Sequence, residues 1–246
     1  MIVLSFFWQG LFGKRAYLRL MEGEEADLRS SPWLYQEKGL LVRRIGFPAV
    51  LGLEEVRLVR DREGSMVPES HIYLGDLLDL TERRLTLKGP LSFRGANLYQ
   101  TQDWGYVLEF LLLRPGEPHR RMFYFAQPRR DGTPPFSVQG AFLDTGYKLR
   151  IEFYPDMMHR DSWRLRLPGA RVTFERDGRR LFSGWVLYSQ RVRLGEDGFY
   201  FAGISRWTAF ILTADQGEPI LYTGFVLTIL GGFLLYGAIF RWGEKR

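Results

Sequence analysis

The chain has 246 residues, of which 46% are apolar and 25% charged, a balance that excludes both a disordered segment and a wholly membrane-embedded protein. Its net charge of +6 comes from 34 basic and 28 acidic residues and is too mixed in sign to indicate nucleic acid. Cysteine is absent, which excludes a disulfide framework, a thiolate metal site and a cysteine nucleophile.

In chain order, residues 1–13 (MIVLSFFWQGLFG) are apolar but too few to span a bilayer, and Lys14 and Arg15 end the run. This segment reads as the end of a truncated membrane helix, with an interfacial anchor as the alternative. Residues 14–218 then alternate short apolar runs with turn residues, and 27 glycines and 15% aromatic content suit strands better than a helical bundle. Strands are expected at Val56–Val59, Leu85–Leu87, Leu98–Gln100, Tyr106–Leu112, Met122–Phe125, Tyr147–Phe153, Leu165–Leu167 and Phe199–Ile204. Pro128 to Pro135 reads as a long surface loop, Asp177-Gly178 as a hairpin turn between residues 171–175 and 181–188, and Asp197-Gly198 as a second turn. The expected fold is a mostly β domain, a β-sandwich or irregular β-barrel, followed by a C-terminal transmembrane helix. Arginine pairs at 43–44, 83–84, 120–121, 129–130 and 179–180 read as solvated turn or edge-strand residues; the sharper reading is a basic face meeting anionic lipid or ligand carboxylates.

From Ile220 to Phe240 no residue is charged, and 21 residues of helix would rise about 31 Å, enough to cross a hydrocarbon core. The expectation is a membrane helix over 219–240, with the basic tail 241–246 in the cytoplasm and the β domain outside it. Gly224, Thr228 and Gly232 recur at spacing four and form a small-residue stripe suited to packing against a partner helix.

One run is more specific than the rest. Gly89-Pro90-Leu91-Ser92-Phe93-Arg94-Gly95-Ala96-Asn97-Leu98-Tyr99-Gln100 continues through Thr101-Gln102-Asp103 to Trp104-Gly105. Its Pro90-Leu91, Gly95 and Tyr99-Gln100 resemble the signature of the ResB-like family of cytochrome c biogenesis. Weaker similarity extends from about residue 10 to 240. It includes Gly10 to Gly13 leading to Leu20 to Glu24, Arg60 to Ser70, Phe201 to Ile204, and Asp215-Gln216-Gly217 before the last helix, where Gln216 stands for the family's proline.

The resemblance implies the bacterial or plastid-type System II for maturing cytochromes c. It implies an inner-membrane protein with an extracytoplasmic domain, a ResC/CcsA-type membrane partner, apocytochrome c as client and haem as a transient cargo. No cysteine is present for covalent haem, and the chain departs from the family in carrying neither several early membrane helices nor an intramembrane histidine. The expected role is to assist haem delivery by binding and positioning the partner, without catalysis of its own. The alternative is a single-pass membrane-anchored scaffold or adhesion β domain unrelated to haem.

Candidate chemistry starts from three histidines, His71, His119 and His159. His119 with Arg120 and Arg121 is the first choice for haem, since imidazole suits iron and guanidinium suits propionates. Met157-Met158-His159 offers soft ligands for copper(I). The histidine spacing matches no metal motif, and no Gly-x-Ser-x-Gly elbow, phosphate loop or zinc signature occurs, so no catalytic residue and no metal site is assigned. Phe93, Tyr99 and Trp104 are read as sheet aromatics first and as stacking platforms second.

Overall fold

The structure is a computed structural model that describes residues 11–30, 34–40, 42, 47, 49–62, 64–76, 79–129, 133–141, 146–214 and 218–243, with side chains of the last helix described from 222 to 236. Leu11 and Phe12 are helical, while residues 1–10 of the first apolar segment lie outside the described residues, as do Arg43, Arg44, Arg130, Asp215 to Gly217 and the tail 244–246.

Two strands of unusual length organise the molecule: β8 (Ala96–Leu113) and β15 (Asp197–Ala214), each of 18 residues and paired antiparallel from Asn97↔Thr213 to Leu113↔Gly198. At one end their sheet is completed by β1 (Lys14–Met21), β3 (Tyr35–Lys38) and β7 (Leu91–Phe93), and at the other by β9 (Arg120–Ala126) and β14 (Arg191–Leu194). A second sheet, in the order β2-β4-β5-β6, contains β2 (Glu24–Asp27), β4 (Val50–Arg60), β5 (Met66–Asp76) and β6 (Asp79–Leu85). A third, in sequential order, contains β10 (Phe136–Ala141), β11 (Tyr147–Tyr154), β12 (Gly169–Arg176) and β13 (Arg179–Leu187).

Strand alternation sends every second residue to one face, and this builds two cores on one side of the long sheet. Leu98, Phe210, Leu212, Leu18 and Leu20 pack with Leu51, Leu53, Val56, Ile72 and Leu74 of the second sheet. Further along, Trp104, Tyr106, Phe110, Phe199 and Phe201 pack with Phe136, Phe153 and Phe174 of the third. Both cores are sandwiches that share β8 and β15.

The register of that pair shifts twice. Gln100 faces Phe210 and Trp104 faces Thr208, so Thr101-Gln102-Asp103 bulges opposite Ala209; a second irregularity lies between Phe201 and Gly203. The odd-numbered Phe199 and Phe201 and the even-numbered Phe210 and Leu212 thereby reach cores on the same side.

The mostly β expectation and the sandwich hold, but no sheet closes into a barrel, because the described sheets end in open edge strands. The Asp177-Gly178 turn forms as expected, with φ of 52° and 75° at its two residues. The second turn lies two residues earlier than expected: Leu194 pairs with Asp197, so Gly195-Glu196 turns and Asp197-Gly198 already belongs to β15. Leu98–Gln100 and Tyr106–Leu112 are parts of one strand, and Leu85–Leu87 contributes only Leu85. Leu165–Leu167 is not a strand but part of the connection from β11 to β12, where both leucines are exposed.

The helix α1 (Glu218–Gly243) has 26 residues. From Tyr222 to Tyr236 its described side chains are exposed. No helix is long and apolar enough to cross a membrane among the described residues, so the expected crossing over 219–240 has no support from them.

Candidate binding surfaces around the motif

The Pro90 to Gly105 run folds as a hairpin followed by the bulge that separates the two cores. Phe93 pairs with Ala96, leaving Arg94 and Gly95 as a two-residue turn with φ of 49° and 77°. Positive φ at both positions matches the twist of the flanking strands, and glycine takes it without steric cost. Leu91, Phe93 and Ala96 then cover an apolar cleft against Leu28, Phe47 and Leu74, while Arg94 reaches the Asp76 carboxylate with its Nη1 2.9 Å from Oδ1. Pro90 ends the preceding turn, and Leu98 is buried.

Tyr99 points away from that core and is 38% exposed, whereas Gln100 is buried and donates from Nε2 to Thr208 Oγ1 over 3.4 Å. Thr208 Oγ1 donates to the Asp103 carbonyl at 3.1 Å, and Thr101 Oγ1 donates to the Ala209 carbonyl at 3.1 Å. The bulge is thus stitched to β15 by two threonines and a glutamine. Gly105 follows where a side chain has no room: a Cβ there would lie 2.0 Å from the Ala126 carbonyl oxygen. That same carbonyl accepts the Trp207 indole N–H at 3.2 Å. Trp104 is buried with its ring edge-on to Phe136, so the sheet-aromatic reading of it holds.

On the opposite side of the long sheet, Tyr17 donates to Asp103 Oδ2 at 2.8 Å and Arg19 lies over the rings of Trp207 and Phe125, at 4.3 and 5.1 Å. Burial, followed by the hydrogen bond and charge of Asp103, pushes the Tyr17 phenol up to about 12. Tyr99 and Phe123 leave apolar surface exposed on this outer side.

Three residues that no local pattern announces hold the second sheet to the first. Glu22 accepts the N–H groups of Val56 and Arg206, each at 2.9 Å, and Arg206 Nη1 donates to the Val56 carbonyl at 3.0 Å. Their separation by 34 to 184 positions explains why sequence inspection passes over them.

The first-choice residues for haem sit elsewhere. His119 is exposed at the end of the β8–β9 connection, and Arg120 and Arg121 are exposed at the start of β9, opposite Leu112 and Leu111. Neighbouring strand residues face opposite ways. Arg121 Nε meets Glu109 Oε1 at 2.8 Å, while Arg120 lies 3.6 Å from Glu117. Each guanidinium thus lies beside a different carboxylate, and all three residues are exposed. Leu98, beside the motif hairpin, and Leu112, beside His119, lie near opposite ends of β8. At about 3.3 Å per residue they are roughly 45 Å apart, too far to form one site.

His159 is exposed, with Nδ1 3.1 Å from Asp156 Oδ2. Burial pushes the Asp156 carboxyl up, but the His159 side chain and the N–H groups of Met158 and His159 outweigh it and hold the carboxyl below its usual range. Met158 is 77% exposed. Met157 instead packs towards Gly169, where a Cβ would lie 2.2 Å from its sulfur, so the two methionines do not present one paired site. His71 lies on the outer side of the second sheet near Glu54 and Glu82. In α1, Thr228 Oγ1 donates back to the Gly224 carbonyl at 2.8 Å, and Gly224, Gly231 and Gly232 have open space where a Cβ would sit.

No family model matches the chain. It is similar to the cytochrome c biogenesis protein CcsB of Picosynechococcus sp., with 24% identity over 168 residues, covering 66% of this chain and 32% of that protein. The chain thus spans about a third of the length of this relative.

Proposed function

We propose that the chain acts in cytochrome c maturation as a non-enzymatic binding and positioning protein. The similarity to a cytochrome c biogenesis protein over 168 residues carries this reading, and the resemblance of Pro90-Leu91, Gly95 and Tyr99-Gln100 to the ResB-like signature agrees with it. The proposed partners are a ResC/CcsA-type membrane protein and apocytochrome c, with haem as passing cargo. Attachment to the inner membrane through residues 219–240 belongs to the proposal, supported by the uncharged run from Ile220 to Phe240 and the exposed apolar side chains of Tyr222 to Tyr236. In it, the β domain is extracytoplasmic and the 241–246 tail cytoplasmic. Gly224, Thr228 and Gly232 are the proposed contact with a partner helix.

The motif supplies this role with shape more than with contacts: its buried Gln100 helps fix the bulge, while Tyr99 and the Tyr17–Asp103 pair stay outside. Deleting the chain and staining for covalent haem tests the function. Loss of c-type cytochromes is the expected result, and intact cytochromes would leave the scaffold or adhesion reading in its place. A haem contact at His119, Arg120 and Arg121 is tested separately by replacing His119 with Ala and recording haem spectra of the purified complex. Unchanged haem retention removes His119 from the proposal.

A further inference from the structure

The outer side of the second sheet carries a group that the maturation role does not use. β4 and β5 fall out of register between Leu53 and Glu55: Leu53 faces Ile72 and Glu55 faces His71, which leaves Glu54 as an extra residue. A bulge of this kind turns two successive side chains towards one face. Leu53 and Val56 remain in the core, so Glu54 and Glu55 both fall on the outer side beside His71. One strand over, Glu82 of β6 pairs in register with Tyr73. Side-chain ligand atoms of Glu54, His71 and Glu82 all lie within 4.8 Å of one another.

The group is arranged unlike a set of ion pairs. Glu55 is engaged by Arg57 at 2.8 Å, and Arg84 is taken by Glu69, so neither arginine is committed to Glu54 or Glu82. Among the described residues, no lysine or arginine forms a salt bridge with Glu54 or Glu82. His71 Nδ1 is 3.9 Å from Glu82 Oε1, beyond hydrogen-bond reach, and its Nε2 is buried without a partner. Two ligands each about 2.1 Å from one tetrahedral ion stand roughly 3.4 Å apart, so closing the group needs shifts of around 1 Å or less. Tyr73 shares this outer face, since it pairs with Glu82 and alternates with the buried Ile72 and Leu74.

We propose that Glu54, His71 and Glu82 bind a divalent first-row transition-metal ion of the Zn²⁺ class. One imidazole nitrogen and two carboxylate oxygens suit such an ion, whereas an all-oxygen set would favour Ca²⁺ or Mg²⁺. Three protein ligands leave a coordination position open to water or to a donor from another molecule. The site is independent of the maturation role.

Equilibrium dialysis of the full chain, stripped of metal and titrated with Zn²⁺, tests the site, with the zinc K-edge spectrum as a second readout. One Zn²⁺ per chain is expected, with one imidazole and oxygen ligands in its first sphere. His71→Ala and Glu82→Gln each weaken binding more than about tenfold. His159→Ala, which removes the competing Asp156–His159 pair, leaves binding unchanged, as does His119→Ala. Glu82 is exposed, so its variant keeps the fold, to be verified by circular dichroism. Stoichiometric binding that survives both His71→Ala and Glu82→Gln, binding lost on His159→Ala, or failure of the wild-type chain to take up one Zn²⁺ overturns the proposal.

Discussion

The two halves beneath the long sheet solve the same packing problem with different residues. The half over β2, β4, β5 and β6 is filled mainly by Leu, Ile, Val and Ala, whereas the half over β10 to β13 is filled largely by rings. In the aromatic half Phe110 stacks on Phe199 and Phe201 at 4.5 and 4.7 Å, and Phe174 meets Phe199 edge-on at 4.4 Å. Ring pairs of this kind add about 0.5–1.5 kcal/mol each beyond their buried area and permit fewer rearrangements. Branched aliphatic chains close a core with less directional preference, and it is this half that borders the motif hairpin. The difference teaches that the motif marks the transition between two packing regimes, with Gln100 and Thr208 as the polar seam.

Truncation should affect the halves unequally. Phe153→Ala is expected to cost about 3–5 kcal/mol and Leu51→Ala about 2–5, since each opens a cavity in a fully buried core. Urea denaturation measures both. Because β8 and β15 run through both halves, hydrogen exchange should show protection falling in both after either change; loss confined to one half would break the picture of a shared framework.

At the junction, Gly105→Ala forces a methyl group towards the Ala126 carbonyl, with an expected loss of about 1–3 kcal/mol. A midpoint unchanged in urea would show that β9 can yield there. The Tyr17–Asp103 contact gives a pH signature. Since the folded phenol is raised from 10.0 to about 12, its contribution is fully present below pH 10 and is lost as pH rises through that interval. Urea midpoints between pH 9 and 11 should fall more steeply for the wild type than for Tyr17→Phe. The smallest effect is expected from Arg94→Ala, at about 0–1 kcal/mol, because Arg94 and Asp76 are both solvent-exposed.

Local chemistry made part of this legible in the sequence. The Asp177-Gly178 hairpin and the alternating runs of β11 and β12 could be read because turn residues and period-two burial are written into neighbouring positions. The single 18-residue β8 could not, because the polar Thr101-Gln102-Asp103 interrupts its pattern and is tied to β15 and β1 by partners 86 to 108 positions away. Pro90, Leu91, Gly95, Tyr99 and Gln100 stood out by composition, yet their division into buried and exposed roles depended on register. The Glu54, His71 and Glu82 group was hidden for the same reason: its members come from three strands, and a one-residue bulge brings the first onto their face.

The open sheets have a consequence for how the protein behaves at high concentration. β6 carries Glu82, Arg83 and Arg84 along its free edge, and charged side chains there discourage a second molecule from adding a strand. β13 begins with Arg179 and Arg180 but leaves Leu181, Trp185 and Leu187 uncovered further along. Of these two edges β13 is therefore the one open to strand addition: replacing Leu187 with Lys should raise the concentration at which light scattering first detects self-association, whereas adding charge to β6 should change it less.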